Sequence, residues 1–217
     1  APAPGEQHRH AAAAGLGGQH WRRPQVLATG AQQHVDFSHA LGQPQARAGA
    51  DITLWPGSPH AVRLLAVHLK SGCFTGRLDR SFGPCASLRK QVPVVEAWVD
   101  ARVREGVAFA MLGDFNRHLN TDARHPAGPD ETAPLNAIQA WSDNQPAGAV
   151  LMRATEGQSY VPCHPGERHR HYIDDILIDQ RLLARYGQQR FARLPFADHA
   201  PGQLLSDHCP VVWALQP

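Results

Sequence analysis

No apolar run in these 217 residues approaches the length needed to cross a bilayer, which excludes a helical membrane span. No C-x-x-C pair or Cys/His spacing of the zinc-site kind occurs, which argues against a structural zinc site. Net charge is only +2 with histidine neutral, too little to argue for a nucleic-acid partner by itself. Lysine is almost absent. Lys70 and Lys90 stand alone, so the basic side is arginine, a bias that codon usage explains as readily as phosphate recognition. The N-terminus shows no basic start followed by an apolar stretch, so no signal peptide is visible. No asparagine precedes Asn116.

What remains is ordinary for a globular chain: 42% hydrophobic and 18% charged residues, enough length for one sizeable domain, and no linker. Four cysteines allow two disulfides in three pairings. A local Cys73–Cys85 bond would close the loop "FTGRLDRSFGP", and Cys163–Cys209 would then tie a distant loop to the segment beside "SDH". The alternative is four buried thiols in a cytosolic protein; disulfides imply an oxidising compartment, secreted or periplasmic.

Residues 1–45 differ from the rest. The stretch "APAPGEQHRHAAAAGLGGQHWRRPQ" is rich in Ala, Gly, Gln, Pro and His without periodicity, and Glu6 and Asp36 are the only acids before residue 46. Scattered histidines in such a composition are more often incidental than a metal-binding tail. We expect a poorly ordered low-complexity segment over 1–45, at best a weak edge element, and one domain over 46–217.

From Ala50 the pattern sharpens. "ADITLW" alternates as a half-buried strand, Pro56-Gly57-Ser58-Pro59 turns the chain, and "AVRLLAVHL" completes a hairpin. Leu88, Val92, Val95, Val99 and Val103 recur at helical spacing; Pro93 among them should kink the helix or start a fresh first turn. Gly106 stops it, and "VAFAML" follows as a buried strand. "TAPLNAIQAWSD" reads as a short helix, "YIDDILID" as a strand, "QRLLARY" as a helical turn or two ended by Gly187, and "CPVVWAL" as a last strand. The fold class is α/β.

Four fragments place acids, amides or imidazoles at or within these apolar strands: "VHLKS", "LGDFN", "YIDDILID" and "LSDHCPV". One buried polar group is usually a satisfied core residue. Four are costly to bury apart, and so should meet in one site. In this order they resemble the endonuclease/exonuclease/phosphatase family, the metal-dependent phosphoesterases of the deoxyribonuclease I and exonuclease III type, over about residues 50–215. The "HLKSGC" loop looks like an often exported bacterial branch.

The resemblance implies two packed β-sheets flanked by helices, a four-layer α/β/β/α sandwich with its site at one end. It implies Asp207 as a metal ligand and His208 as the base, with Asp174 holding the other ring nitrogen. Asp114 would orient the attacking water, Asn116 would donate to a phosphate oxygen, and Gly113 would let the chain turn there while Phe115 packs. His68 would be a second imidazole near the leaving group. The cofactor would be Mg²⁺, with Mn²⁺ or Ca²⁺ as alternatives, since hard cations take carboxylates and keep waters. The substrate would be nucleic acid, DNA or RNA, handled by a monomer. Asp175 departs from the pattern, and strand alternation turns it to the opposite face. Trp141 and Trp213 are read as core, Arg117 and His118 as a solvated loop, and the basic "HPGERHRHY" as a candidate phosphate groove.

That family also carries an N-terminal strand with an Asn and a second with a Glu, its main metal ligand. Neither pattern is found here, since Glu6 in "PGEQHRH" has no apolar strand leading into it. The expectation is an N-terminally incomplete or frame-disturbed member with weakened metal affinity, strand edges without neighbours, and weak or no turnover. Two competing readings are a phosphomonoesterase or lipid-headgroup phosphodiesterase on the same scaffold, and a non-catalytic remnant that binds nucleic acid.

Overall fold

The computed structural model describes residues 33–35, 48–75, 77–79, 82–122, 136–164, 166–186, 190–195 and 206–214. Strand β1 (Gln33–Val35) pairs antiparallel with β2 (Gly49–Leu54), so a three-residue edge element does lie in the stretch read as low complexity; the rest of 1–45 lies outside the described residues. β2 and β3 (Val62–His68) form the expected hairpin. Helix α1 (Gly83–Glu105) then crosses over so that β4 (Ala108–Asp114) lies parallel to β3, a pairing no tight turn permits.

Helix α1 overturns one of the two expectations for Pro93, a fresh first turn there. It runs unbroken through Pro93, with Val92 and Val95 buried on either side of it. Burial of that apolar face outweighs the lost backbone hydrogen bond, worth about 3 kcal/mol in an isolated helix. Gly106 ends it in the left-handed conformation (φ 69°), its N–H donating to the Val103 carbonyl.

Short helices α2 (Leu119–Asp122) and α3 (Ala137–Trp141) follow β4, and Asn136 caps α3 by accepting from the Gln139 N–H at 2.8 Å. The expected start of that helix at 132–135, like Gly187, lies outside the described residues. The chain continues through β5 (Leu151–Arg153), β6 (Asp174–Asp179), α4 (Gln180–Tyr186), β7 (Phe191–Arg193) and β8 (Val211–Trp213). One sheet has the order β1-β2-β3-β4-β6-β5 and the other pairs β7 with β8.

Period-two alternation gives the large sheet two apolar faces. Leu65, Val67, Phe109, Met111 and Leu177 meet Leu88, Val95 and Val99 of α1, with Trp141 in the same cluster. Val62, Ala108, Ala110 and Ile178 meet Leu182 of α4 and Phe191 and Trp213 of the small sheet. Each fully buried side chain of this size contributes about 1.5–3 kcal/mol. The result is two β-sheets flanked by helices in an α/β sandwich. Both disulfides form in the pairing considered above, Cys73–Cys85 and Cys163–Cys209, and no cysteine among the described residues is free. No described helix is long and apolar enough to cross a membrane.

Candidate active site

The strand register explains why polar residues sit where the sequence has them. His68 pairs with Asp114 across β3 and β4, and Asp114 pairs with Asp174 across β4 and β6. Residues paired in register point to the same side, so the three form one row. Their face is that of Leu64, Ala110 and Ile178, packed toward the small sheet; the row is its polar end. The loop before β8 brings His208 to the same row. Its Nδ1 lies 2.8 and 3.0 Å from the two Asp174 oxygens, and its Nε2 lies 3.9 Å from Asp114 Oδ2. His68 Nε2 is 3.5 Å from the same Asp114 oxygen.

Asp114 is held from below. Asn116 adopts a left-handed backbone (φ 52°), which folds its N–H back onto Asp114 Oδ1 at 2.7 Å and its Nδ2 onto Oδ2 at 2.9 Å. The second amide hydrogen goes to the Leu69 carbonyl at 3.0 Å. Both donors of Asn116 thus serve the protein, which aims the Asp114 carboxylate. Phe115 between them is fully buried against Trp141, ring centroids 5.8 Å apart. Gly113 is not a turn residue. It lies inside β4 at φ 131°, where a Cβ would come within 2.1 Å of the Val67 carbonyl oxygen, so the close approach of β3 demands glycine.

The electrostatics follow from this crowding. Burial pushes the Asp114 carboxyl above its usual range and the nearby Asp174 charge adds to that, against the Asn116 N–H, His208 and His68. Burial pulls His208 down, but the Asp174 hydrogen bond and the charges of Asp174, Asp114 and Asp207 outweigh it and raise the imidazole above its ordinary value. A ring whose Nδ1–H is donated to Asp174 presents Nε2 as the proton acceptor.

Asp207 is exposed and lines the rim of the adjoining cavity instead of joining the row. Asp175 does face the other way: it is buried, accepts from the Thr155 N–H at 3.2 Å and hydroxyl at 2.6 Å, and burial raises its carboxyl to about 6. Arg117 overturns the solvated-loop expectation. It is 2% exposed, pairs with Asp122 at 2.6 Å and donates to the Cys73 carbonyl at 2.9 Å; the latter partner, remote in sequence, is why the sequence hid it. His118 is half-buried between two other rings.

A cavity of about 500 Å³ opens beside the row. Asn116, Asp174, Asp207 and His208 line it, together with His164, Glu167, Arg168, His169 and His171 of "HPGERHRHY". Phe74, Tyr160 and Arg193 also line it, and the sequence reading had not singled them out. Phe74 had a signal in its place beside Cys73. Tyr160 and Arg193 had none, since Arg193 reaches the site only by lying over the Tyr160 ring, 4.7 Å from its centroid.

Asp114, Asp174 and His208 each offer a ligand atom, all within 4.8 Å of one another, and form the group among the described residues able to hold a divalent cation. The donor set fits a hard cation: two carboxylates crowd together, and positive charge between them would relieve the repulsion and burial that raise Asp114.

Neither a protein-family profile nor a curated protein matches the chain in sequence. Solved structures do. The 3′ phosphatase NExo from Neisseria, in a substituted form bound to a product DNA hairpin, aligns with a TM-score of 0.50 at 17% identity, over 82% of this chain and 68% of that one. An endonuclease/exonuclease/phosphatase family protein from Bacteroides thetaiotaomicron aligns at 0.44 and 15% identity, over 78% and 56%. The Haemophilus ducreyi cytolethal distending toxin aligns at 0.39 and 15%, over 80% and 54%. At these identities the likeness concerns the fold, and the chain shares the fold of the Neisseria 3′ phosphatase.

Proposed function

We propose that the chain is a metal-dependent phosphoester hydrolase of the endonuclease/exonuclease/phosphatase type, most concretely a nuclease that cleaves a phosphodiester by in-line attack of water. The observation that carries it is the row of His68, Asp114 and Asp174 completed by His208 beside an open cavity. In this assignment Asp174 fixes the His208 tautomer and Nε2 accepts the proton of the attacking water. Asp114, aimed by Asn116, orients that water. His68, exposed at the far end of the row, donates to the phosphoryl or leaving oxygen.

The cation, Mg²⁺ or else Mn²⁺ or Ca²⁺, would sit at this group, on Asp114 and on the Asp174 carboxylate that also holds His208, with Asp207 of the cavity lining as a further ligand. A bound divalent cation supplies positive charge to the phosphoryl oxygens. With no family glutamate in the 217 residues, fewer carboxylates share that charge, and we expect slow turnover. The two disulfides favour a secreted or periplasmic setting.

The test is nicking of supercoiled plasmid in Mg²⁺ beside a chelator control and His208→Ala. Cleavage abolished by both is the expected result; cleavage that survives His208→Ala would refute the assignment of the base. The fold shared with a 3′ phosphatase favours a second reading, removal of a terminal phosphate. Release of inorganic phosphate from a 3′-phosphorylated oligonucleotide without internal nicks would select it.

A further inference from the structure

Three rings stack beside the row. His118 lies between Phe74, at 5.8 Å and 24°, and His171, at 4.3 Å and 23°. All three line the cavity next to Asn116 and His208. The outer members are open, Phe74 at 39% exposure and His171 exposed as well, while the central ring is half-buried. The His118 Nδ1 is buried without a hydrogen-bond partner among the described residues, so on that side the imidazole meets its surroundings through its ring faces.

The platform is built in advance. The His118 backbone N–H donates to the Phe74 carbonyl at 2.9 Å, and the buried Arg117 pins the neighbouring Cys73 carbonyl at 2.9 Å while paired to Asp122. The Cys73–Cys85 disulfide closes the loop that carries Phe74. A surface aromatic whose backbone is fixed in this way on the wall of a cavity offers a flat apolar face at little ordering cost.

We propose that the Phe74–His118–His171 stack is a docking platform for an unpaired nucleobase, so that the site takes single-stranded or frayed nucleic acid in preference to duplex. It rests on the reading of the adjoining row as a phosphodiester site. Aromatic and histidine rings receive unstacked bases, and every base has a face to offer, so the contact selects strandedness and not sequence. A base inside a duplex is already stacked on both faces and cannot use it. Burial and the neighbouring His171, Arg117 and His169 charges hold His118 down at about 4, which keeps the central ring neutral between its two neighbours at neutral pH.

The experiment titrates the full chain, in chelator so that no turnover intervenes, into a single-stranded DNA oligonucleotide carrying 2-aminopurine and into the duplex of the same sequence. The expected result is fluorescence quenching with the single strand bound about tenfold more tightly than the duplex. Phe74→Ala and His171→Ala should each weaken the single strand about tenfold and remove the quench, while His171→Phe retains both. Both positions are exposed, and thermal denaturation confirms that each variant folds. Equal affinity for duplex and single strand, no quench, or alanine variants that bind as the parent does would each overturn the proposal. Quenching by a chain that never cleaves would leave the platform standing and remove the hydrolase reading. Cleavage indifferent to strandedness and to Phe74 would do the reverse.

Discussion

Two buried carboxylates on the same sheet have opposite surroundings. Asp51 of β2 is 3% exposed and receives Arg63 Nε at 2.9 Å, Arg102 Nη1 at 3.4 Å and the Trp98 indole N–H at 2.9 Å. Asp114 of β4 is 9% exposed and meets Asn116, two imidazoles and a second acid; among the described residues no arginine or lysine pairs with it. A carboxylate neutralised by guanidinium groups fastens α1 to the sheet. One left short of positive charge beside a cavity is poised to accept a cation or a proton. Burial alone does not separate the two; the partners do.

The contrast can be broken first at His208. His208→Ala should cut hydrolysis by about 10²–10⁴-fold while leaving the melting temperature nearly unchanged, because the ring is half-exposed and joins no core cluster. An equal loss of stability would make this cluster structural, like that of Asp51. Asp51→Ala should do the opposite and cost about 3–5 kcal/mol in denaturant unfolding, by leaving the part-buried Arg63 without its carboxylate and the buried Arg102 with Glu105 alone.

Gly113→Ala comes next. It should destabilise by about 2–4 kcal/mol and blunt activity together, since a Cβ aimed at the Val67 carbonyl must move β4 and with it Asp114. Asp174→Asn should move the acid limb of the pH–rate profile to lower pH. The parent imidazole is raised above its ordinary value and must lose its proton to act as the base, and the variant loses the main force raising it. An unmoved limb would assign that titration to another group.

The smallest effect concerns His118. Its folded pKa is depressed to about 4, so its contribution to stability is present above the unfolded value of 6.5 and is lost as pH falls through about 4. His118→Phe should flatten that part of the stability–pH curve, read from melting temperatures between pH 7 and 4.

Much of the scaffold was legible because apolar period and punctuation agreed locally. The 50–69 hairpin, the helix through Leu88–Val103 ended by Gly106, and the strands of β4 and β6 all appear. Strands β5 and β7 did not show, since three residues carry no measurable period, whereas the equally short β8 lies inside the longer apolar run "CPVVWAL". The fresh first turn expected at Pro93 did not appear, because helix propensity is local while the burial of Val92 and Val95 is not. Within the site, His68, Asp114, Asn116, Asp174 and His208 stood out as polar groups at or within apolar strands. Arg117 did not, because a run of polar residues after a strand looks the same whether it faces water or the core.

The sequence by itself determined the alternation that puts His68, Asp114 and Asp174 on one face of their strands, and the glycine that lets those strands approach. These are properties of neighbouring residues and of backbone sterics. Only the tertiary structure decided that the three lie level in register, that His208 returns from 34 residues beyond Asp174 to complete the row, and that Phe74, His118 and His171 stack into one surface. Those facts depend on pairings between distant segments, whose free energy is shared with the whole core and is written in no single stretch of chain.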